Sequence, residues 1–123
     1  MKLVLGLFTL MLAIGLSSYL LLRAAPEGDP CADRVLLEVR SPDERATATA
    51  YEHRCGASST THVALRPTTA QFAPRGDVFV VQGLTRPGLS WRDRELVIEA
   101  GTEKVLFEEP SWRTVTVRVQ RVR

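Results

Sequence analysis

The chain has 123 residues, with 16 Lys and Arg against 14 Asp and Glu, a formal net charge of +2. Two of the basic residues, Lys2 and Arg23, flank an apolar segment, so the rest of the chain is neutral overall and its charge gives no argument for a nucleic-acid partner. About 100 residues follow Arg23, which is enough for one domain and excludes two.

The first predicted element is the 20-residue apolar segment 3–22. A helix of that length spans the ~30 Å hydrocarbon core of a bilayer. A cleaved signal peptide has a shorter apolar core and then a small-x-small site. Here the small pair Ala24-Ala25 has an arginine before it and a proline after it. The sequence therefore predicts an uncleaved transmembrane anchor over 1–23, with a cleaved signal peptide and secretion to the periplasm as the alternative.

The orientation of this anchor depends on two opposing signals. Lys2 favours a cytoplasmic N-terminus, but four arginines lie within about 25 residues of the other end, and the positive-inside rule would then keep the domain in the cytoplasm. Against this stand the two cysteines, Cys31 and Cys55, because an isolated pair suggests a disulfide in an oxidising compartment. We therefore expect a single-pass protein of the bacterial inner membrane with its domain in the periplasm.

Residues 24–33 contain two prolines, a glycine and three acidic residues, which is typical of a linker, so the β domain is predicted over 34–123. Its apolar segments are short, rich in Val, Ile, Leu and Phe, and separated by turn residues, as strands are. About seven strands are predicted: Val35–Val39, Thr47–Glu52, Thr61–Arg66, Val78–Gln82, Glu95–Ala100, Lys104–Glu108 and Thr114–Gln120. Beyond residue 30 no window has a convincing helical stripe, although 68–72 allows one turn. The predicted fold is all-β (mainly), a small antiparallel meander, sandwich or small barrel after the N-terminal helix.

Two segments share a turn-plus-strand phrase. Ser41-Pro42-Asp43-Glu44 has the proline that the second position of a type I turn favours. Segments 41–48 and 91–98 both resemble the phrase W-S-P-D-G-K-x-L-A of β-propeller blades. Because about 100 residues cannot close a propeller of four blades, the phrase indicates local hairpins only.

A longer pattern comprises Ser41-Pro42-Asp43, then Cys55-Gly56-Ala57-Ser58-Ser59-Thr60-Thr61, then Trp91 ahead of Leu96-Val97-Ile98. It resembles an uncharacterised family of small bacterial membrane-anchored or lipoprotein-like proteins, whose pattern is S-P-D-G-K, C-G-A-T-T and a downstream W with L-x-I. The similarity covers about residues 31–100. Glu44 replaces the usual glycine, and Ser58-Ser59 replaces a threonine. The resemblance implies an envelope location and a β fold, and it brings no known activity.

The cysteine pair is predicted to be a structural disulfide. A Cys31–Cys55 bond would stabilise the domain by roughly 3–4 kcal/mol in the chain-entropy account. The alternatives are free thiols or a redox-active pair. A redox motif favours close spacing such as C-x-x-C, and 23 residues separate these two cysteines.

The polar segment 56–62 is the candidate binding site. Its residues are Gly56, Ser58, Ser59, Thr60, Thr61 and His62. A plain turn, in which hydroxyls bond nearby backbone groups, explains it without further assumption; the functional alternative is a loop for a ligand or a partner. A nucleophilic site would need Ser58, Ser59 or Thr60 within hydrogen-bonding reach of His62 and an acid.

His53, Cys55 and His62 suggest a metal hypothesis, but a zinc site needs three or four ligands and an oxidised Cys55 is not one of them. We therefore predict no metal and no cofactor. Trp91 and Trp112 are predicted to pack in the core, with binding aromatics as the alternative.

These observations favour a non-enzymatic, membrane-tethered envelope protein. We expect it to act through protein–protein contacts, as an accessory or immunity-type protein with an unidentified envelope partner and no nucleic acid. The alternative is a small-ligand or ion-binding envelope module that uses the 56–62 segment. A hydrolase is the third hypothesis.

Overall fold

The structure, a computed structural model, describes residue 6 and residues 8–17 and 30–122. Residues 8–17 are helical. Within these described ranges, no helix combines the length and the apolar character needed to cross a membrane. The rest of the predicted anchor 3–22, and linker residues 24–29, lie outside the described residues.

Nine strands form the described β domain, so the prediction of a mainly all-β fold is confirmed. They are β1 (Cys31–Arg40), β2 (Ala46–Cys55), β3 (Ser58–Pro67), β4 (Asp77–Gln82), β5 (Gly88–Arg92), β6 (Glu95–Ala100), β7 (Val105–Glu108), β8 (Ser111–Trp112) and β9 (Val115–Arg121). The seven predicted strands correspond to all of these except β5 and β8. The first strand begins at Cys31, so the domain starts inside the segment that was predicted to be a linker.

Two sheets pack face to face. One has five strands in the order β1-β2-β3-β4-β7, and the other has four in the order β5-β6-β9-β8. The core between them takes alternate residues of the central strands, because successive side chains of a strand point to opposite faces. These core residues are Ala46, Ala48, Ala50, Val63, Leu65, Val78, Phe79, Val81, Leu96, Ile98, Ala100, Val115 and Val117.

One strand pair departs from the predicted antiparallel arrangement. β6 and β9 pair in parallel, whereas the other pairs in both described sheets are antiparallel. The chain leaves β6, joins the five-stranded sheet as β7, and returns through the short β8. This crossover brings β9 beside β6 in the same direction, because parallel neighbours need a connection longer than a hairpin turn.

The outer face of the five-stranded sheet, the face turned away from the core, is partly covered by the segment 68–76 between β3 and β4. The hydroxyls of Thr47 and Thr68 lie 3.0 Å apart, and the Phe72 ring packs edge-on against Tyr51 at 5.2 Å. Tyr51 is therefore only 2 % exposed although it points away from the core. The covering segment thus shields Thr47 and Tyr51 on the outer face from solvent.

Candidate functional site

The segment 56–62, which was predicted as a turn or loop, is a two-residue turn followed by a strand. Gly56 and Ala57 form the turn, and Cys55 pairs with Ser58 across it. Gly56 has a φ of 61°, which glycine adopts without steric cost. From Ser58 onward the chain is β3. From Ser58 onward the segment is therefore a strand and not a loop. Its hydroxyl-bearing residues favour turns in isolation, but here they pair with β2 and β4.

The strand divides the candidate residues between two faces. Ser59 and Thr61 lie on the face that carries the core. The Ser59 hydroxyl donates to the buried Glu52 carboxylate at 2.9 Å, and the Thr61 hydroxyl donates to the Gly83 carbonyl at 2.7 Å. These two hydroxyls serve the structure, so the candidate site reduces to Ser58, Thr60 and His62 on the outer face.

On the outer face, the His62 ring lies between an acid and a hydroxyl. Its Nδ1 is 2.9 Å from Oδ2 of Asp77, and its Nε2 is 2.7 Å from Oγ1 of Thr60. A carboxylate only accepts hydrogen bonds, so Nδ1 donates to Asp77. The Thr60 hydroxyl has two acceptors within reach, Nε2 of His62 and the His53 carbonyl at 3.4 Å. Tyr51 stacks on the same ring, with centroids 4.9 Å apart, and donates to Oδ1 of Asp77 at 2.6 Å.

The electrostatics of this network follow from its burial and its hydrogen bonds. Burial works to raise the pKa of Asp77, but hydrogen bonds from His62 and Tyr51 outweigh it and hold that pKa below its usual value. Burial, reinforced by the hydrogen bond to this carboxylate, raises the pKa of Tyr51 above its usual range. At neutral pH Asp77 is therefore ionised and the Tyr51 phenol keeps its proton.

This arrangement meets the geometric condition stated for a hydrolase. A hydroxyl, an imidazole and a carboxylate stand in hydrogen-bonded sequence, as nucleophile, base and orienting acid do in catalytic triads. The same contacts also satisfy every member internally, and the His62 side chain is only 16 % exposed. What the network presents to an incoming molecule is the half-buried Thr60 hydroxyl.

A second acid–imidazole pair lies at the start of the domain, beside the disulfide. The Cys31–Cys55 bond is formed, which confirms the predicted disulfide. His53 places its Nδ1 2.6 Å from Oδ1 of Asp33 and its Nε2 3.2 Å from Sγ of Cys55. The His53 and His62 rings meet edge-to-face, with centroids 5.7 Å apart. The two imidazoles thus form one outer-face cluster, which ends at the disulfide.

The metal hypothesis combined the wrong residues. The described group with ligand-like spacing is Cys31, His53 and Cys55, whose ligand atoms lie within 4.8 Å of one another, and His62 is outside it. Thiolates are the sulfur ligands that metals take, and both sulfurs are in the disulfide. The four ring nitrogens of the two histidines also have protein partners. Ion binding at 56–62 stays a prediction that this geometry does not favour.

Three turns meet at the other end of the two sheets. They are Ser41–Arg45 between β1 and β2, Asp93-Arg94 between β5 and β6, and Arg113-Thr114 between β8 and β9. Together they line a cleft of about 180 Å³, here called the three-turn cleft, whose walls include Trp91 and Trp112. Both tryptophans are half-buried, and the indole of Trp91 donates to the Val39 carbonyl at 3.1 Å.

The backbone of these turns is strained in the same way. Glu44, Asp93 and Arg113 have φ values of 61°, 54° and 52°, and in the described part of the chain they are the three residues other than glycine with positive φ. Such a backbone costs a non-glycine residue roughly 1–2 kcal/mol. Strain of this kind concentrates at functional sites. Its concentration around one cleft makes this cleft a candidate site.

The charged side chains that line the cleft differ in the hydrogen bonds and ion pairs that they make. Asp43 accepts hydrogen bonds from the Ser41 hydroxyl and from the backbone N–H of Arg45, and these hydrogen bonds lower its pKa. The guanidinium groups of Arg45 and Arg94 make no hydrogen bond or salt bridge with any described residue, and Arg113 lies over the Trp112 ring at 4.8 Å. Asp43 thus bonds within its own turn, and the charges of Arg45 and Arg94, which also line the cleft, further lower its pKa.

Sequence reasoning missed this site. It identified the turn at 41–44 and the hairpin within 91–98, and it assigned the two tryptophans to packing. The available signal was that an Asp–Arg turn adjoins a tryptophan in the second segment. No local pattern says that three turns from both sheets meet at one end, because that depends on the β7 crossover.

A search with family models, curated proteins and solved structures finds no match to this chain.

Proposed function

We propose that this chain is a membrane-tethered, non-enzymatic envelope protein whose β domain binds an acidic segment of a protein partner at the three-turn cleft. One observation carries the proposal. Strained non-glycine turns, half-buried tryptophans and arginines without ion pairs among the described residues coincide at a single end of the domain.

The size of the cleft favours a protein partner over a small molecule. Sites for small molecules enclose about 300–1,000 Å³, and this cleft encloses about 180 Å³. That volume accommodates one or two side chains of a docking protein. Tryptophan and arginine are also the residues that dominate binding energy at protein interfaces.

The charge of the cleft favours an acidic partner. Arg45, Arg94 and Arg113 line it against Asp43 and Asp93. Three arginines against two aspartates leave this lining with one net positive charge. Guanidinium groups bind carboxylates through two parallel hydrogen bonds, so glutamate or aspartate side chains of a partner fit this surface.

The tether belongs to the same proposal. Segment 3–22 has the length and apolar character of an anchor, and the disulfide supports an oxidising compartment such as the periplasm. β1 begins at Cys31 and runs ten residues toward the cleft, about 30 Å of extended chain. The cleft, at the turn after Arg40, lies at the end of the domain opposite Cys31, and the proposed anchor precedes Cys31 in the chain.

Photo-crosslinking in native membranes tests this function. A photoreactive amino acid at Thr114, which lines the cleft, is expected to give an adduct with a protein partner, and the same amino acid at the exposed Thr102 is not. Arg94→Glu reverses one cleft charge and should abolish the adduct. Arg92→Glu is the matched control, since Arg92 is exposed on β5 outside the cleft lining. Equal adducts from Thr114 and Thr102, or equal losses in the two arginine variants, would contradict the proposal.

The outer-face network favours a second candidate, a small hydrolase with Thr60 as nucleophile and His62 as base. Thr60→Val removes the hydroxyl and keeps the shape of the side chain. If the protein cleaves activated aryl esters and Thr60→Val does not, the hydrolase replaces the binding protein as the better account. If neither protein cleaves them, the network is structural.

A further inference from the structure

The position of the disulfide on the sheet makes it accessible to chemistry. Cys31 and Cys55 stand directly opposite each other on adjacent strands, and β1, which carries Cys31, is the edge strand of the five-stranded sheet. Both cysteines are half-buried and thus within reach of solvent. Strand pairing therefore brings the two cysteines together, although 23 residues separate them in the sequence.

His53 supplies the local tuning that a redox site needs. Its Nε2 lies 3.2 Å from Sγ of Cys55, and because a disulfide sulfur carries no hydrogen, a proton in this contact belongs to the imidazole. Asp33 accepts from Nδ1 at 2.6 Å and fixes the ring plane. The His53 side chain is 39 % exposed, so it exchanges protons with water.

We propose that Cys31–Cys55 is a thiol–disulfide exchange site, at which Cys55 is the leaving sulfur, His53 is its proton donor and Asp33 positions His53. The co-reactant is a dithiol, either a small molecule or a thiol protein of the same compartment. This assignment is independent of the three-turn cleft.

The exchange proceeds in two displacements. A thiolate of the co-reactant attacks Sγ of Cys31, the S–S bond breaks, and its electron pair passes to Sγ of Cys55, which takes the proton from Nε2 of His53. The second thiolate of the co-reactant then attacks the co-reactant sulfur that is bonded to Cys31 in the mixed disulfide. Cys31 leaves as a thiolate and takes a proton from water. The protein disulfide is reduced to two thiols, and the dithiol is oxidised to a disulfide.

The edge position selects Cys31 as the sulfur that is attacked. Exchange passes through a nearly linear arrangement of three sulfurs, so the attacking thiolate approaches along the S–S axis from beyond the attacked atom. In the described part of the chain no strand pairs with β1 on the far side of Cys31, whereas Ser58 of β3 pairs with Cys55 on its far side. Attack at Cys31 leaves the electron pair on Cys55, next to His53.

The charged surroundings of His53 come from three strands. Asp33 faces it from β1, the His62 ring faces it from β3, and Asp77 lies behind His62 at the start of β4. Asp33 holds the His53 ring through a direct hydrogen bond, and Asp77 holds the His62 ring in the same way. The matched control is therefore His62, an imidazole on the same face with an equivalent acid partner and no contact with sulfur.

The test follows reduction of the full-length oxidised protein by dithiothreitol, with the new thiols counted by mass after alkylation. Rates are expressed per thiolate of dithiothreitol at pH 6 and pH 9, which bracket the range where imidazoles titrate. At pH 6 we expect His53→Gln to be reduced on the order of tenfold more slowly than wild type. This factor is smaller than general acid catalysis usually gives, because the His53 ring is partly exposed to water. At pH 9 the two rates should agree, since the neutral ring donates no proton to sulfur.

Two further variants decide between a chemical and a structural role. His62→Gln should follow the wild-type profile at both pH values, and Asp33→Asn should show a weakened acid enhancement, between wild type and His53→Gln. Equal rates for wild type and His53→Gln at pH 6 would overturn the proposal. So would a difference of the same size at both pH values, which indicates altered packing, or a His62→Gln profile that matches His53→Gln.

Discussion

Hairpin turns reverse the chain at both ends of the β domain, but the two ends use different residues for them. At the disulfide end the β2–β3 turn uses Gly56 for its positive φ, and a covalent bond closes the adjoining strand pair. At the cleft end the turns place Glu44, Asp93 and Arg113 in the same backbone region. The disulfide end therefore has features that stabilise the fold, whereas the turns at the cleft end carry backbone strain together with charged side chains. Changing each end in turn tests that contrast.

Removal of the disulfide should have the largest effect. Cys31→Ala with Cys55→Ala frees the loop between them in the unfolded chain, and we expect the free energy of unfolding to fall by roughly 3–4 kcal/mol. Urea denaturation followed by tryptophan fluorescence measures this loss. Wild type kept reduced at neutral pH is the control and should show a similar midpoint. An unchanged midpoint in both would mean that the disulfide end is not the stabilised end.

Two glycines of positive φ allow a matched comparison. A Cβ at Gly76 would lie 2.4 Å from the Leu65 carbonyl oxygen, whereas one at Gly56 would meet nothing within 4 Å. Gly56→Ala should cost only the backbone strain, about 1 kcal/mol, and Gly76→Ala about 2–3 kcal/mol, because the backbone at Leu65 or at position 76 must also move. Urea midpoints of the two variants test the order. Equal losses would indicate that Leu65 and Gly76 separate without cost.

The acid dependence of stability should differ between Asp77 and Asp43. The pKa of each carboxyl is lowered in the folded protein, so each contributes stability above the usual aspartate pKa of about 3.9, and that stability is lost as the pH falls through the folded value. Asp77 is half-buried and Asp43 is exposed. We therefore expect Asp77→Asn to flatten the loss of stability between pH 5 and pH 2.5 more than Asp43→Asn does. Denaturation at stepwise pH checks this, and the reverse order would contradict it.

The smallest predicted effect is a gain. Glu44 is exposed with a φ of 61°, so Glu44→Gly should raise the free energy of unfolding by about 0.5–1 kcal/mol through relief of strain. Glu44→Ala removes the same charge and keeps the strain, and it should give no gain. If the alanine variant gained as much as the glycine variant, charge and not backbone conformation would be the cause.

Much of the fold could be predicted from the sequence, because the hydrophobic pattern of a strand is local. Alternation in β2, β3 and β9 follows directly from a period of two, and the lone cysteine pair predicted its own disulfide. β5 was missed because its five residues contain a serine, an arginine and a glycine, and β8 because two residues make no pattern. The parallel pairing of β6 and β9 depends on a crossover that no window of sequence contains.

The candidate sites were less predictable, because they depend on register. His53 and Thr60 pair across β2 and β3, which brings His62 beside Tyr51, but sequence distance alone suggested a loop. Asp77, which holds this network together, was not noticed, since it lies 15 residues beyond His62. Glu44 did carry a signal. The turn phrase that this segment resembles has a glycine at this position, and the positive φ of Glu44 is a backbone region that glycine enters without steric cost.

The place of the disulfide also decides how the domain bears mechanical load. β1 is the edge strand and the first strand of the domain, so tension on the N-terminal segment would arrive at Cys31. Without a cross-link, such a pull would peel β1 from β2 one hydrogen-bonded pair at a time, as a zipper opens. With Cys31 joined to Cys55 at the first pair, the force passes into β2, which is held by strands on both sides. A load between that point and the far turns runs along the strands and is shared by many hydrogen bonds in shear.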